Sequence, residues 1–359
     1  MDYVRRQRQV RRKLKVSRAQ AIFVSAPQNV AYLTGFDSTN GFVLLTADAT
    51  VVFTDFRYEQ SLRALAERQG LTPVIVRAAL ARELRQCCKR LGIRRLAFEA
   101  DHLTVTQFKR LRGKGRTLQW IPADTWLQDA RNRKDGDELE LMQQAVRVAE
   151  QAFAGTAPDE WLGLREDAAA DLLEQRMKAA ARGHGWHAEA AFPIIVAAGT
   201  NAAVPHHHPG STTIEREMMV TFDWGARVAG YCSDMTRTLY LGTPDRQFRR
   251  VYRTVLRAQK AAIAAYRTGV ALKTVDAAAR TIIAKADHAR HFGHGTGHGI
   301  GREVHEGFSA SPKGRGRVKH GMVCTVEPGI YIPGWGGVRI EDMVVATPCG
   351  TRVMTSLPK

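Results

Sequence analysis

The sequence contains few cysteines and no paired-cysteine motif. Five cysteines occur in 359 residues, which is an odd number, and no two of them form a C-x-x-C pair. They are Cys87, Cys88, Cys232, Cys324 and Cys349. A disulfide framework and a zinc ribbon are therefore not indicated. A reducing compartment is the simpler expectation for such a chain.

Long hydrophobic runs are also missing. No stretch approaches the roughly 18 to 20 apolar residues that a membrane-spanning helix needs. The N-terminus is too charged to contain the apolar core of a signal peptide. We therefore expect a cytoplasmic protein with no membrane partner.

Nucleotide-binding motifs are lacking too. The glycine-rich run over residues 293–301 has no G-x-G-x-x-G spacing, and no GK[ST] loop follows it. A dinucleotide fingerprint and a Walker-type phosphate loop both lose support. The glycines of this run need another explanation.

Positive charge is abundant, with 53 Lys and Arg residues against 35 Asp and Glu, a formal net charge of +18. Two stretches are especially basic, residues 1–20 and the segment SPKGRGRVKHG at 311–321. Such charge attracts nucleic acid or anionic surfaces. Neither stretch interleaves aromatic residues with its basic ones, however, and no nucleic-acid module is recognisable. We therefore expect a solvated arginine-rich surface rather than a nucleic-acid partner.

Length and composition favour two globular domains of the α/β (α+β) class, since 44% of residues are hydrophobic and 25% charged. The segments AIFVSA, GFVLLTA and TVVFTDF have the composition of strands, and residues 58–69 and 80–91 the pattern of helices. These elements predict a small N-terminal α/β domain over residues 1–128. A charged connector that begins near residue 128 then leads into a larger domain, residues 129–359.

Two acidic residues of the larger domain are expected to form a pair. Asp223 and Asp234 lie in VTFDWGARVAGYCSDMTRTLY, which is typical of a hairpin that turns near Val228. Because both residues are equally far from that turn, we predict a cross-strand pair with Cβ atoms roughly 5 Å apart. A lone Asp beside a strand turn is more often a turn or cap residue, so the interpretation depends on the other acids.

The same symmetry recurs in MVCTVEPGIYIPGWGGVRIEDMVV, where Glu327 and Glu341 are equidistant from Gly334. A fifth candidate, His298, comes from FGHGTGHGIGREVHEG. Four carboxylates and one imidazole form a ligand set that suits Mn²⁺, Co²⁺, Fe²⁺ or Zn²⁺. A site that binds two such ions would favour hydrolysis as the reaction.

Several blocks resemble the signatures of the M24 metallopeptidases. They are NAAVPHHHPG, DWGARVAGYCSDMTRTLYLG, HGTGHGIGREVHEG and TVEPGIYIPGWGGVRIED. Within that family they are most similar to Xaa-Pro aminopeptidases and Xaa-Pro dipeptidases (prolidases). The segments NVAYLTGFDSTNGFVLL and FTDFRYEQ resemble the creatinase-type N-terminal domain. The resemblance implies that domain followed by a pita-bread catalytic domain.

The resemblance also implies a role for each site residue. Two divalent metal ions, Mn²⁺ or Co²⁺ with Zn²⁺ or Fe²⁺ as alternatives, would be held by Asp223, Asp234, His298, Glu327 and Glu341, with Asp234 and Glu341 bridging. Glu327 would also transfer protons, and His206 and His305 would assist catalysis, although His207 and His208 leave the first of these uncertain by one residue. His294 and Arg339 would contact a substrate with proline at its second position. A homodimer is also implied.

Alternatives remain open. A pita-bread domain can serve as a catalytically inactive binding module, but all five ligand positions are filled here. The stretch GHGIGREVHE also resembles methionine aminopeptidases, which lack such an N-terminal domain. Aminopeptidase and dipeptidase activity are not distinguished. Relatives usually carry a glycine-aspartate turn where Glu217 and Met218 stand, which predicts a different local turn.

Overall fold

A computed structural model describes residues 1–113 and 118–359. It divides into two compact units, Met1–Arg131 and Asn132–Lys359. The sequence predicts this boundary after residue 128. Within the described residues, no helix is both long and apolar enough to cross a bilayer.

The first unit is a mixed β-sheet with helices on both faces. Its sheet order is β4-β3-β2-β1-β5-β6, in which β2 is antiparallel to both of its neighbours, β1 and β3, and the other three pairings are parallel. The elements are α1 Tyr3–Ser17, β1 Ala21–Val24, α2 Pro27–Thr34, β2 Gly41–Thr46, β3 Thr50–Thr54, α3 Glu59–Gln69, β4 Thr72–Ile75, α4 Leu80–Arg90, β5 Arg95–Phe98, α5 Val105–Arg112, β6 Gln119–Pro122 and α6 Trp126–Arg131.

The central strand β1 explains why the sheet is covered twice. All four of its residues are buried, and they alternate between two apolar clusters, Ile22 and Val24 in one, Ala21 and Phe23 in the other. A strand buried on both faces is apolar throughout rather than alternating. The mixed α/β architecture predicted from the sequence is confirmed.

Helix α1 was not expected from the sequence. It buries Val10 and Leu14, together with the polar side chains Arg6 and Gln7. Gln7 Nε2 donates to the Leu33 carbonyl at 3.0 Å. Most of the basic residues in residues 1–20 therefore lie on the outer face of a helix. Its apolar face has too few residues to be recognised in the sequence.

The second unit contains five small sheets and four longer helices among the described residues. The elements are α7 Gly136–Ala154, α8 Glu166–Gly183, β7 Ala188–Ala190, β8 Ile195–Ala198, β9 Met218–Trp224, β10 Ala226–Val228, β11 Tyr231–Cys232, β12 Met235–Leu241, α9 Arg246–Ala265, α10 Leu272–Lys285, β13 Gly297–His298, β14 Ser309–Ala310, β15 Val323–Val326, β16 Gly329–Ile332, β17 Gly336–Arg339, β18 Asp342–Thr347 and β19 Gly350–Val353.

Two apolar cores flank the sheets of this unit. One contains the inward residues of α7 and α8, among them Met142 and Leu173. The other contains those of α9 and α10, among them Val255 and Val275. The strands between these helix pairs carry the acidic residues singled out in the sequence.

The hairpin from β9 to β12 differs from its predicted register. Asp223 lies opposite Thr236, so Asp234, which precedes β12, is not its direct cross-strand partner. The turn is made by Ala229 and Gly230, both with positive φ, 48° and 80°. A two-residue turn of this kind matches the twist of the flanking strands. The centre of the hairpin therefore lies between Ala229 and Gly230, whereas the sequence predicts it near Val228.

The second predicted hairpin is confirmed. β15 pairs with β18 and β16 with β17 in one continuous register. Glu327 lies between β15 and β16, and Glu341 between β17 and β18, so the two glutamates stand opposite each other. Gly334, with φ of 77°, lies in the turn that joins β16 to β17.

The turn before β9 forms without a glycine. Glu217 adopts a positive φ of 57°, a conformation that is uncommon for a residue with a side chain. Its carboxylate accepts hydrogen bonds from the Thr243 amide at 3.1 and 3.2 Å. These bonds offset part of the cost of the left-handed backbone.

Candidate metal centre

Each of the five predicted ligands lies at or beside the end of a strand. Asp223 is in β9, Asp234 directly precedes β12, His298 ends β13, Glu327 directly follows β15, and Glu341 directly precedes β18. Strand ends hold the backbone in place while leaving one side of a residue open. Five segments distant in sequence thus contribute to one region.

The side chains converge. One potential ligand atom from each of Asp234, His298 and Glu341 lies within 4.8 Å of the other two. His298 Nε2 is also 3.2 Å from Glu327 Oε1 and 3.6 Å from Asp234 Oδ2. Asp223 is close enough for its charge to raise the pKa of both Asp234 and Glu341. The structure therefore brings all five predicted residues together.

Close backbone approach makes this convergence possible. A side chain on Gly297 would collide with the Thr325 carbonyl, and one on Gly225 with the Ser233 carbonyl. Glycine is therefore required where β13 meets β15 and where the first hairpin bends towards Asp234. This requirement accounts for part of the glycine run that precedes His298.

Hydroxyl groups and a guanidinium orient the acids. Thr236 Oγ1 donates to Glu341 Oε2 at 2.7 Å and accepts a hydrogen bond from Arg339 Nε at 3.0 Å. Arg339 Nη2 donates to Asp223 Oδ2 at 2.7 Å. The arginine, 3% exposed, thus links carboxylates from both hairpins. The sequence analysis did not identify Thr236.

A second hydroxyl was also missed. Thr325 Oγ1 donates to Glu327 Oε1 at 3.1 Å and accepts a hydrogen bond from the His298 amide at 3.0 Å. Thr325 precedes Glu327 by two positions, which places both side chains on the same face of a strand. That spacing was the one signal in the sequence that could have identified it.

Burial and mutual repulsion disturb the ionisation of two acids. Burial raises the pKa of Asp234 well above its ordinary value, and the charges of Glu341 and Asp223 raise it further. The pKa of Glu341 is also raised, first by burial and then by the charges of Glu327 and Asp223. Both carboxylates therefore lack sufficient positive charge around them.

The neighbouring His298 and Glu327 stabilise each other's charged form. Burial is the largest single influence on Glu327 and works to raise its pKa, but the hydrogen bond with His298 and the charges of His298, His294 and Arg339 together lower this pKa to about 2. Burial also works to lower the pKa of His298, and the same bond raises it. Glu327 is therefore a carboxylate at neutral pH.

The donor set fits divalent cations. Four buried carboxylates face two positive groups, Arg339 and His298, which leaves an excess of negative charge. Asp223 Oδ1 and Glu341 Oε1 are buried and have no hydrogen-bond partner among the described residues. Buried charge is normally paired or coordinates a metal. Oxygen ligands with a single imidazole suit Mn²⁺, Co²⁺, Fe²⁺ or Zn²⁺.

Three further histidines surround these residues. His305 packs against His298 with ring centroids 4.0 Å apart and ring planes tilted by 47°. His294 Nε2 lies 2.9 Å from Tyr331 Oη, and the same hydroxyl accepts from Arg339 Nη1 at 3.0 Å. Tyr331 was not singled out in the sequence, although it connects two residues that were.

The structure distinguishes between the adjacent histidines of the HHH run. His207 Nε2 is 2.8 Å from Glu166 Oε2 and so is engaged away from the acids. Burial is the main cause that lowers the pKa of His294 and of His305, and the charge of His206 adds to it in both cases. His206 therefore faces the same region as His294 and His305.

One buried carboxylate holds the loop that carries His206. Glu166, the first residue of α8, is 0% exposed. Its two oxygens accept hydrogen bonds from the Ala198 and Gly210 amides, at 2.7 and 3.1 Å, and from the Asn201 side chain at 2.9 Å. Together with His207, these contacts anchor both ends of the loop over residues 198–210.

Comparison with known proteins places these features in a family. The profile described as metallopeptidase family M24 matches residues 140–348, more than half of the chain. The chain belongs to metallopeptidase family M24. The creatinase/prolidase N-terminal domain matches residues 6–133. The predicted fold and the predicted metallopeptidase class are confirmed, and membership of this family implies divalent metal ions.

Individual M24 relatives cover nearly the whole chain. A Bacillus subtilis peptidase is 34% identical over 338 residues, covering 94% of each chain. The Xaa-Pro dipeptidase of Pyrococcus furiosus is 33% identical over 336 residues, covering 93% of this chain and 92% of the relative.

Solved structures agree along the full length. The Xaa-Pro dipeptidase from Bacillus anthracis has a TM-score of 0.93 at 32% identity, covering 100% of this chain and 99% of that one. The X-Pro aminopeptidase from Thermotoga maritima has a TM-score of 0.87 at 30% identity, covering 97% and 98%. Both types of activity thus occur on scaffolds similar to this M24 chain.

Proposed function

We propose that this metallopeptidase hydrolyses the Xaa-Pro bond at the N-terminus of peptides or in dipeptides. The observation that carries the proposal is the convergence of Asp234, His298 and Glu341 with two further acids. Two of their carboxylate oxygens have no hydrogen-bond partner in the described part of the chain. Similarity to Xaa-Pro dipeptidases and to an X-Pro aminopeptidase supports the choice of bond.

The five convergent residues would hold two divalent ions, for which Mn²⁺ or Co²⁺ is the first choice and Zn²⁺ or Fe²⁺ the alternative. They are Asp223, Asp234, His298, Glu327 and Glu341. Asp234 and Glu341, whose pKa values burial raises most clearly, would be shared by both ions. When bound, such ions supply an activated water and electrostatic stabilisation of the charge that develops on a scissile carbonyl.

Glu327 would move the proton. Its carboxylate is ionised at neutral pH because the hydrogen bond with His298 and the charges of His298, His294 and Arg339 together outweigh burial and lower its pKa to about 2. It would accept the proton that the attacking water loses as the new carbon–oxygen bond forms. It would then give that proton to the proline nitrogen as the carbon–nitrogen bond breaks.

His206 and His305 would stabilise the reacting carbonyl. Both are exposed. The charges of His298 and Glu327 act on His305, and the charge of His206 acts on His294 and His305. An imidazole N–H from either residue would donate a hydrogen bond to the carbonyl oxygen as negative charge builds there. The loop anchored by Glu166 would hold His206 in place for this role.

His294 and Arg339 would contribute to substrate recognition. The bond before proline lacks an N–H, so the ring must be recognised by shape. His294 is fixed on both ring nitrogens, by the Gly295 carbonyl at 2.7 Å and by Tyr331 Oη at 2.9 Å. It would therefore present one face of a rigid ring as a wall of the proline pocket. Arg339 would hold Asp223 and Tyr331 beside it.

Metal reconstitution tests the proposal. Metal-stripped protein is supplied with Mn²⁺ or Co²⁺ and assayed on Xaa-Pro dipeptides, on longer Xaa-Pro-Yaa peptides and on peptides that begin with Met. We expect uptake of two ions and cleavage before proline; dipeptides alone would indicate a prolidase, and longer peptides an aminopeptidase. Uptake of no metal with no cleavage would favour a binding module. Cleavage after Met alone would favour the methionine-aminopeptidase alternative.

Proline specificity has its own test in His294→Ala. Removing the His294 imidazole should lower kcat/KM for a Xaa-Pro-Yaa peptide by roughly tenfold, because the proline ring of the substrate loses contacts. The value of kcat/KM for the matching Xaa-Ala-Yaa peptide should stay almost unchanged. The exposed His184→Ala serves as control. An unchanged ratio between the two substrates would remove His294 from the pocket.

Assembly and location complete the proposal. A homodimer, which light scattering on the purified protein would detect, is expected from the resemblance. A cytoplasmic location is part of the same proposal, and subcellular fractionation would test it.

A further inference from the structure

Helix α9 concentrates exposed positive charge on one face. Basic residues recur along it at intervals of three and four positions, so they share one side of the helix. All of them are exposed, and they form what we term the α9 basic face: Arg246, Arg249, Arg250, Arg253, Arg257 and Lys260. At 1.5 Å per residue, the array extends for roughly 21 Å.

These cations have no acidic partners. Within residues 1–113 and 118–359, none of the six lies within ion-pair distance of an Asp or Glu side chain. The neighbouring Asp245 is engaged as the helix cap, where it accepts from the Phe248 amide at 2.6 Å. The positive potential of the face is therefore not neutralised by the protein itself.

Other helices of the same chain follow a different pattern. In α3, Arg63 pairs with Glu59 at 2.8 Å, and in α8, Lys178 pairs with Glu174 at 2.6 Å, both four residues apart. Such pairs stabilise a helix, whereas like charges at the same spacing destabilise it. The face on α9 repeats the unfavourable spacing several times. An array that lowers helix stability is best explained by an anionic ligand.

The opposite side of α9 excludes a bilayer as that ligand. The apolar residues of the helix, among them Phe248, Val251 and Val255, are buried in the core of the second unit. Among the described residues, no large hydrophobic side chain of α9 is exposed. A helix that inserts into a membrane interface needs an exposed apolar face beside its cations. The α9 basic face offers charge alone.

The chemistry of the face favours phosphate groups on a linear polymer. A shallow cleft of about 850 Å³ runs beside the helix and is lined by all six cations. Its other lining residues are Thr243, Pro244, Thr254, Leu256 and one acid, the helix cap Asp245. Five of the six are arginines, whose planar guanidinium groups bind phosphate through two parallel hydrogen bonds. No exposed aromatic ring lies on α9, so stacking on the bases of a single strand is not provided.

We propose that the α9 basic face binds the phosphate backbone of duplex nucleic acid without reading its sequence. In the linear sequence only residues 1–20 and 311–321 stand out as basic, and neither stretch indicates such a partner. The α9 segment RQFRRVYRTVLRAQK escaped attention because apolar residues interrupt its arginines, and only the helix gathers the cations on one side. The face is separate from the proposed peptidase residues.

Salt-dependent binding tests the proposal. Binding of a fluorescent DNA duplex of arbitrary sequence is measured for the full chain across a range of salt concentrations. The variant Arg250→Gln/Arg253→Gln/Arg257→Gln should bind at least tenfold more weakly at low salt. The slope of log K against log salt should become shallower by roughly three, because each lost phosphate contact reduces it by about one. Peptidase activity should not change.

Two further variants keep the test decisive. Arg8→Gln/Arg12→Gln/Lys15→Gln removes the same charge from the exposed face of α1 and should keep most of the wild-type slope. Arg250→Lys/Arg253→Lys/Arg257→Lys retains the charge of α9 and should also keep the slope, even if the glutamine variant folds poorly.

Several results would overturn the proposal. Equal losses in the α1 and α9 variants would mean that net charge alone attracts DNA. Equal binding of polyglutamate or of phosphatidylserine vesicles to the α9 basic face would assign it to an acidic protein or a lipid surface. A slope that does not change in the α9 glutamine variant would remove the face from binding altogether.

Discussion

The candidate metal centre and the α9 basic face differ in how their charges are compensated. In the centre, four carboxylates are buried between two hairpins, and single hydroxyls and one guanidinium orient them, as Thr236 does for Glu341. On α9, six cations are exposed, and none of them forms an ion pair with a described Asp or Glu. Buried charge is barely screened, so each group must be compensated individually, whereas exposed charge is screened and acts only as a sum.

Removal of a central acid should produce the largest effect. Glu341→Ala or Asp234→Ala takes away a carboxylate that both ions would share. We expect loss of bound metal and a fall in kcat of at least about a thousandfold, or ~4 kcal/mol of transition-state stabilisation. Metal content by mass spectrometry and steady-state kinetics measure both. Glu174→Ala, on the exposed face of α8, should change neither, and full activity in Asp234→Ala would contradict the assignment.

A smaller effect is expected from Tyr331→Phe. This change removes only the hydroxyl that joins His294 to Arg339. The metal ligands keep their positions, but His294 and Arg339 each lose one hydrogen bond. Groups of this kind typically contribute 10- to 100-fold, and we expect a decrease in kcat/KM of about tenfold with normal metal content. Tyr240→Phe is the matched control, because its hydroxyl donates a hydrogen bond to the Glu217 carbonyl, away from the metal centre. Unchanged kinetics in Tyr331→Phe would show that the connection is not used.

A comparable effect is expected from loosening the loop that carries His206. Glu166→Gln replaces one carboxylate oxygen by an amide that cannot accept from the Gly210 amide or the Ala198 amide, so one buried donor loses its partner. We expect kcat to fall by roughly tenfold at unchanged metal content, since His206 loses its fixed position. Glu160→Gln, which is exposed and paired with Arg176, should leave kcat intact. A loss of metal in Glu166→Gln would instead place this residue within the metal centre.

The smallest effect should come from an exposed ion pair. Glu59→Gln in α3 breaks the pair with Arg63, whose side chain is 56% exposed. Such pairs contribute about 0.3 to 0.5 kcal/mol, and the free energy of unfolding measured by urea denaturation should fall by no more than that. A decrease of more than ~1.5 kcal/mol in the free energy of unfolding would mean that exposed charges contribute individually, as the buried charges do.

The sequence predicts much of this architecture because short-range patterns encode it. The opposition of Glu327 and Glu341 follows from one glycine turn at Gly334, and the structure has that register. The opposition of Asp223 and Asp234 fails for a local reason. The left-handed backbone of Ala229, at φ of 48°, shifts the turn towards the C-terminus. Alanine is not a residue type that predicts a left-handed backbone, so the sequence does not indicate this shift.

The supporting residues could not be predicted, because their contacts join segments far apart in the chain. Thr236 meets Glu341 across 105 positions, and His207 meets Glu166 across 41. Threonine in a strand is ordinarily explained by strand propensity alone. The choice between His206 and His207 likewise needs the fold, since it depends on which imidazole Glu166 binds.

Anomalous diffraction from crystals soaked in Mn²⁺ tests the central claim most directly. Two peaks enclosed by Asp223, Asp234, His298, Glu327 and Glu341, with Asp234 and Glu341 touching both, are the predicted result. Absence of any peak among these side chains, in crystals that bind Mn²⁺ elsewhere, would contradict it.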